Sequence, residues 1–365
     1  MYRPRIKWEH RPVRIGARLV RIGGTVPKIA ANVTDPDGWV WALLGALDGM
    51  RTVDQIITEL VHRFPGRSAA DVLEDLGALV RAGYVENAAE PPPAGLTIRE
   101  QERYSRSRAL WQWMDRTPRQ SSWDTQLLLR QARVTVVGVG GAGSTAALSL
   151  AMSGVGTLHL VEPDRVDLSN LNRQILYTEQ DIGEPKLDVA LRRLRAHNSD
   201  ITVTGEALTI TGPSALAALA AGCDVLVLTA DSPAQIRSWT NESCLRTGTN
   251  WVHSGYHGPQ INLGLYRPGG GPCYDCAYVA ARERESGLPT TTWPPTGPAD
   301  ELAASSAVSA GIAGHLVAHA AMSLITGAPR LPANREYGLN LVTLDDSVVL
   351  GLTKPRADCP ACATK

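Results

Sequence analysis

Residues 133–150 read "RVTVVGVGGAGSTAALSL", and this stretch decides the fold. A β-branched run, "RVTVV", leads into the glycine turn "GVGGAG" (138–143) and then into small helix formers. Strand, glycine turn and helix together make a phosphate cradle. The glycines let backbone approach an anion, and the helix N-terminus supplies free amides and positive potential. Gly138, Gly140, Gly141 and Gly143 are the candidate contacts. The loop alone does not separate a nicotinamide cofactor from another nucleotide.

The chain then alternates: "TLHLVEP", a helix near 184–197, "ITVTGEAL", a helix near 213–221, and "DVLVLTAD". That alternation predicts an α/β fold with a Rossmann-like, doubly wound, mostly parallel sheet whose ligand site lies at the strand carboxyl ends. Glu162 ends the second strand, about twenty positions past the loop, where such folds place a carboxylate on ribose hydroxyls. The segment "VDLSNLNRQILYTEQDIGEPKLDVA" has no purpose in a dehydrogenase. It brings Arg173 and Lys186 to one site beside Asn170 and Gln174, with Asp164 just upstream, as a triphosphate under displacement requires. Asp231 ends a buried strand, where its carboxylate can hold Mg²⁺.

Working outward, "NAAEPPPAGL" (87–96) marks a boundary, because three consecutive prolines cannot continue a helix. It divides a small domain, 1–90, from a linker, 91–101, and a larger domain, 102–365. The small domain opens with a hairpin pattern (13–24). Three amphipathic helical stretches follow, with Thr52 and Ser68 as N-caps, giving a winged-helix-like α+β module. Its first thirty residues hold eight Lys or Arg and a single acid, Glu9. Such an edge suits strand addition by an acidic peptide.

Acidic and basic residues balance at 36 each over 365 positions, which argues against nucleic acid as a partner. The charged start "MYRPRIKWEH" is unlike a secretory signal. The apolar run 305–328 is rich in small residues and carries His315 and His319, so it reads as a buried helix rather than a membrane span. A cytoplasmic protein is expected. Cys273, Cys276, Cys359 and Cys362 form two CxxC pairs, the ligand set of a closed structural zinc site. Cys223 and Cys244 read as core residues, and His253 and His257 as structural.

Seven ordered motifs carry a family resemblance: "RYSR" (103–106), "GVGGAG" (138–143), "EPDRVDLSNLNRQ" (162–174), "GEPK" (183–186), "TAD" (229–231), "CYDC" (273–276) and "CPAC" (359–362). From Glu102 onward the chain resembles the ThiF/MoeB-like superfamily of adenylating proteins. The resemblance implies ATP and Mg²⁺, with the Gly141 loop, Asn170, Arg173 and Lys186 on phosphates, Glu162 on ribose and Asp231 on magnesium. Glu162 stands where aspartate is usual. It also implies a homodimer in which Arg106 reaches the partner's nucleotide site. Within the superfamily, "TADSPAQIRSWTNESCLRTGTNWVHSGY" and "LYRPGGGPCYDC" are most similar to microcin C-type peptide nucleotidyltransferases, which carry an N-terminal RiPP recognition element. The implied reaction is adenylation of the C-terminal carboxylate of a ribosomal precursor peptide whose leader binds the small domain. No cysteine occurs from residue 277 through 312, so thioester transfer is not expected. Two alternatives stand beside this reading: an activator of a ubiquitin-like sulfur carrier, and a non-catalytic leader-binding scaffold for a cyclodehydratase.

Overall fold

The computed structural model describes residues 2–91, 93–286, 304–344, 348–350, 352 and 354–363. The chain forms two compact units: Met1–Leu128 with Thr326–Pro329, and Leu129–Ile325 with Arg330–Lys365. The first unit thus continues past the proline stretch.

In the first unit, β1 (Pro4–Ile6) pairs antiparallel with a later strand, Val85–Asn87. A three-stranded antiparallel sheet follows from β2 (Val13–Ile15), β3 (Leu19–Ile22) and β4 (Ala31–Thr34), so the 13–24 hairpin gains a third strand. Helices α1 (Trp39–Ala46), α2 (Val53–Arg63) and α3 (Ala69–Arg81) pack beside these strands, and β5 is the Val85–Asn87 strand. Thr52 and Ser68 each form a complete capping box, which satisfies the otherwise free amides of α2 and α3. Helix α1 is shorter than the apolar pattern over 37–50. Gly38 enters it in the left-handed region, and beyond it Asp48 Oδ1 accepts the Met50 and Arg51 amides at 2.7 and 3.1 Å, turning the chain. The core gathers Val20, Ile22, Trp39, Leu43, Ile56 and Leu60. Two further helices are α4 (Ile98–Arg103) and α5 (Ser105–Met114), and α6 (Asp124–Gln131) runs across the boundary at Leu128. His10 is fully buried, and its Nε2–H donates to the Gln112 carbonyl at 3.0 Å. Burial, reinforced by the charge of Lys7, pulls its pKa from 6.5 down to about 4.

The second unit is built on one eight-stranded sheet. Its parallel part is β6 (Arg133–Val137), β7 (Thr157–Val161), β8 (Thr202–Glu206), β9 (Val225–Leu228) and β10 (Asn250–His257), in the spatial order β8-β7-β6-β9-β10. All pairings within that order are parallel. Strand β9 is buried at every position, which is why it reads "VLVL" without alternation. Strands β11 (Gln260–Tyr266), β12 (Arg335–Asn340) and β13 (Val348–Leu350) extend the sheet antiparallel. The sequence pattern does not announce this half. Gly258, at φ +54°, turns β10 directly into β11 in register His257↔Gln260, a hairpin hidden in "YHGPQ".

The covering helices are α7 (Gly141–Met152), α8 (Lys186–His197), α9 (Pro213–Ala221), α10 (Ile236–Thr247), α11 (Tyr274–Ser286) and α12 (Ala307–Thr326). Helix α12 is long and apolar enough to cross a membrane, and 56% of its apolar window is buried inside the fold. Its small residues have a packing reason. A Cβ on Gly314 would lie 2.5 Å from both the Ala142 carbonyl oxygen and the Thr145 Cβ, so α12 touches the backbone of α7. Cys223 and Cys244 sit in the core with Leu226 and Trp251, as expected.

Candidate nucleotide site and cysteine cluster

Spatial order reverses chain order between β6 and β9, and a crevice opens there at the strand carboxyl ends. Its volume is about 620 Å³. Ten of the twelve cavity candidates read from the sequence line it: Gly138, Gly140, Gly141, Glu162, Asp164, Asn170, Arg173, Gln174, Lys186 and Asp231. The eleventh, Gly143, supports it from behind. A Cβ there would stand 2.0 Å from the Gly138 carbonyl oxygen and 2.6 Å from Thr229 Oγ1, so α7 can start against the loop only with glycine. Gly138, at φ +89°, makes the preceding turn. The twelfth, Arg106, is exposed on α5 and does not line this cavity.

Glu162 first serves the loop itself. Its Oε2 accepts the Val139 amide at 2.7 Å and its Oε1 the Asp164 amide at 3.0 Å, with the residue only 4% exposed. Each carboxylate oxygen keeps a further lone pair for a ligand hydroxyl. Lys186 opens α8 and is buried, and its Nζ lies 3.2 Å from Asp164 Oδ2, whose own side chain is 66% exposed. Arg173 Nη1 donates to the Ser169 carbonyl and Asn172 Oδ1 at 2.9 and 2.8 Å, and it has no acidic partner among the described residues. Asn170 Oδ1 accepts the Asp167 amide at 3.1 Å. Gln174 is buried, and its Oε1 has no hydrogen-bond partner among the described residues. Asp231 is exposed where the chain leaves β9. A glycine loop, two cations and an open carboxylate on one cavity fit a nucleotide triphosphate with its divalent ion.

Arg237 and Tyr256 also line the cavity, and neither was singled out in the sequence. The Tyr256 hydroxyl stands 3.0 Å from where a Cβ on Gly141 would be, directly over the loop. Only the strand–turn context of "SGYHGP" could have pointed to it. His253 is structural, as expected. Its Nε2 is 2.8 Å from Glu336 Oε1, which also accepts the Tyr266 hydroxyl. Gly264, its cross-strand partner, leaves the room: a Cβ there would be 2.2 Å from His253 Nε2. Burial works to raise the Glu336 pKa, yet His253 and Tyr266 hold it below the ordinary carboxylate value. His257 is exposed.

The four cysteines converge. Cys273 Sγ lies 3.8 Å from Cys276 and 3.6 Å from Cys359, Cys276 lies 3.5 Å from Cys362, and all four sulfurs fall within 4.8 Å of one another. A tetrahedral Zn–S bond of about 2.3 Å gives sulfur–sulfur edges of about 3.8 Å, whereas a disulfide needs about 2.05 Å. The set fits a metal. Asp275, between the first pair, accepts Ser238 Oγ and Asn241 Nδ2 at 2.7 and 2.8 Å, tying the cluster to α10. The cysteine-free span 277–312 lies in part outside the described residues.

Fold and cavity together define a class: a doubly wound α/β protein with a glycine loop at the switch point of its sheet. The chain belongs to the ThiF family, whose model matches residues 104–361. It is 38% identical over 164 residues to the sulfur carrier protein ThiS adenylyltransferase of Escherichia coli, covering 44% of this chain and 64% of that protein. It is 31% identical over 279 residues to the adenylyltransferase and sulfurtransferase MOCS3 of Bos taurus, covering 75% of this chain and 56% of that one. The chain therefore spans about half to two thirds of the length of these two relatives, and 32% of the length of MOCS3 from Arabidopsis thaliana. Among solved structures, E. coli MccB superposes with a TM-score of 0.78 at 21% identity, over 98% of this chain and 96% of that one. PaaA does so with a TM-score of 0.67 at 23% identity, over 95% and 99%. These last two likenesses are of fold.

Proposed function

We propose that this chain transfers an adenylyl group from ATP to the C-terminal carboxylate of a ribosomally made precursor peptide, expelling pyrophosphate. The observation that carries the reading is the convergence of the Gly138–Gly141 loop, Arg173, Lys186 and Asp231 on one cavity. The attacking carboxylate is already ionised at neutral pH, so the site needs no general base. Arg173 and Lys186 neutralise the phosphates, Asn170 and Gln174 orient them, and Glu162 offers its remaining lone pairs to the ribose. Asp231 holds Mg²⁺, which supplies further charge neutralisation when bound. Zinc in the four-cysteine cluster is structural.

The peptide is inferred from the first unit and from fold. The likeness to MccB extends over nearly the whole chain, and one such MccB structure holds AMPCPP and MccA. Strand β2, with Arg14 at its centre, is exposed throughout, and with Arg18 and Arg21 nearby it offers a basic edge to a leader peptide. A homodimer with Arg106 donated in trans completes the proposal. The relatives named for sulfur-carrier activation favour a second reading, in which the carboxylate belongs to a ubiquitin-like carrier. A scaffold role has less support, because the cavity keeps its cations.

ATP–pyrophosphate exchange tests the proposal, using short peptides encoded beside this chain's gene and, in parallel, small ubiquitin-like carriers. Exchange is expected with peptide and Mg²⁺. Arg173→Ala and Lys186→Ala each lower it on the order of 10²–10⁵-fold. Near-normal exchange in both variants sinks the site, and exchange with carriers alone selects the second reading.

A further inference from the structure

Among the described residues three cations line the cavity, and Arg237 is the one that no nucleotide motif claims. It is the second residue of α10, a helix held from below by the bonds of Ser238 and Asn241 to Asp275. Arg237 itself has no hydrogen bond and no ion pair among the described residues. Its charge is felt by Tyr274 and Glu336, but Glu336 is already occupied by His253 and Tyr266. The guanidinium lies over Gly255: a Cβ there would be 3.2 Å from Arg237 Nη2. The next strand residue, Tyr256, projects its hydroxyl toward Gly141. Neighbouring strand residues face opposite ways, so Arg237 and the phosphate loop flank the end of β10 from different sides.

We propose that Arg237 is a specificity-determining residue, binding a carboxylate of the substrate's terminal residue other than the one that is adenylated. This rests on the adenylation reading above. Phosphate charge already has Arg173 and Lys186. The reacting carboxylate loses its charge when its oxygen bonds to phosphorus, which would leave the guanidinium without a counterion in a cavity. A second carboxylate stays ionised throughout and matches a permanent cation. The substrate class is therefore a chain ending in an acidic residue, aspartate or glutamate.

Two stable acyl-adenylate mimics test this: 5′-O-sulfamoyladenosine bearing either an aspartyl or an asparaginyl group, titrated calorimetrically into the full chain. They differ only in the side-chain carboxylate. The wild type is expected to bind the aspartyl mimic about 10- to 100-fold more tightly. Arg237→Ala should bring both to the wild-type affinity for the asparaginyl mimic, and Arg237→Lys should keep part of the preference. The unchanged asparaginyl affinity doubles as a check that the variant is folded. A wild type without preference overturns the inference. So does an Arg237→Ala variant that weakens both mimics equally, because Arg237 would then serve the nucleotide. A wild type that binds neither mimic overturns the adenylation reading instead, and the inference falls with it.

Discussion

Glu162→Gln tests how the nucleotide loop is held, because it changes one atom and no volume. In the native site both carboxylate oxygens accept backbone amides, Val139 at 2.7 Å and Asp164 at 3.0 Å. A glutamine has one acceptor. Whichever amide keeps it, the other faces a side-chain NH₂, donor against donor. With the one oxygen kept on the buried Val139 amide, a charge-assisted bond to the part-buried Asp164 amide is lost and the survivor is weakened to a neutral one. Together these are worth about 3 kcal/mol. For a unit of this size that corresponds to a fall in melting temperature of roughly 6–12 °C. Val139 belongs to the phosphate loop and is fully buried, so MgATP affinity should fall as well. Urea denaturation gives the first quantity and calorimetric titration with MgATP the second. A variant as stable as the wild type, with the same MgATP affinity, would refute the claim that Glu162 sets the loop.

Cys273→Ser and Cys359→Ser should each lose about one equivalent of zinc by metal analysis and lower the melting temperature of the second unit. A metal-free wild type of full stability would contradict the cluster's role. His10 is held neutral at a folded pKa of about 4 against 6.5 unfolded, so its contribution is complete above pH 6.5 and drains away as pH falls toward 4. The loss reaches roughly 3 kcal/mol, read by denaturation of wild type and His10→Gln across that window, and an equal pH slope in both would dismiss it. For Arg106, mixed dimers of Arg106→Ala and Asp231→Ala chains contain one complete site and one doubly defective site. Random exchange makes about half the dimers mixed, returning roughly a quarter of wild-type exchange activity. No recovery after confirmed subunit exchange would mean that Arg106 does not act in trans.

The parallel half of the sheet and its glycine loop were legible because local signals and fold agree there. A buried β-branched run, four glycines and a small-residue helix have few other arrangements. The cations Arg173 and Lys186 were legible through order along the chain, and the cysteines through spacing. The antiparallel half was not. Strand β11 alternates weakly because Gly264 sits where a side chain would collide with His253, and the hairpin turn "HGPQ" carries only one positive-φ glycine. Arg237 left no trace, and Tyr256 only the faint one of its strand–turn context, for a related reason. Their role comes from β10 ending beside α10, a tertiary fact that no spacing encodes. Glu162 was placed correctly at the cavity, but its two backbone bonds could not be read from a residue type.

This division has a physical consequence. The nucleotide end of the cavity rests on β6, β7 and the start of α7, elements that bury their own core and hold their own loop. The proposed acceptor end rests on α10 and β10, and α10 is fastened through Ser238 and Asn241 to Asp275, which lies between two cysteines of the candidate metal cluster. Among the described residues no hydrogen bond of the loop passes through the cysteine cluster, so loss of a metal there should reach Asp275 sooner than Val139 or Glu162. Nucleotide binding should therefore outlast acceptor recognition as metal is withdrawn. If the proposed reading holds, one fold carries two separable properties: a phosphate site on the glycine loop, and an acceptor site on a helix fastened to the cysteine cluster.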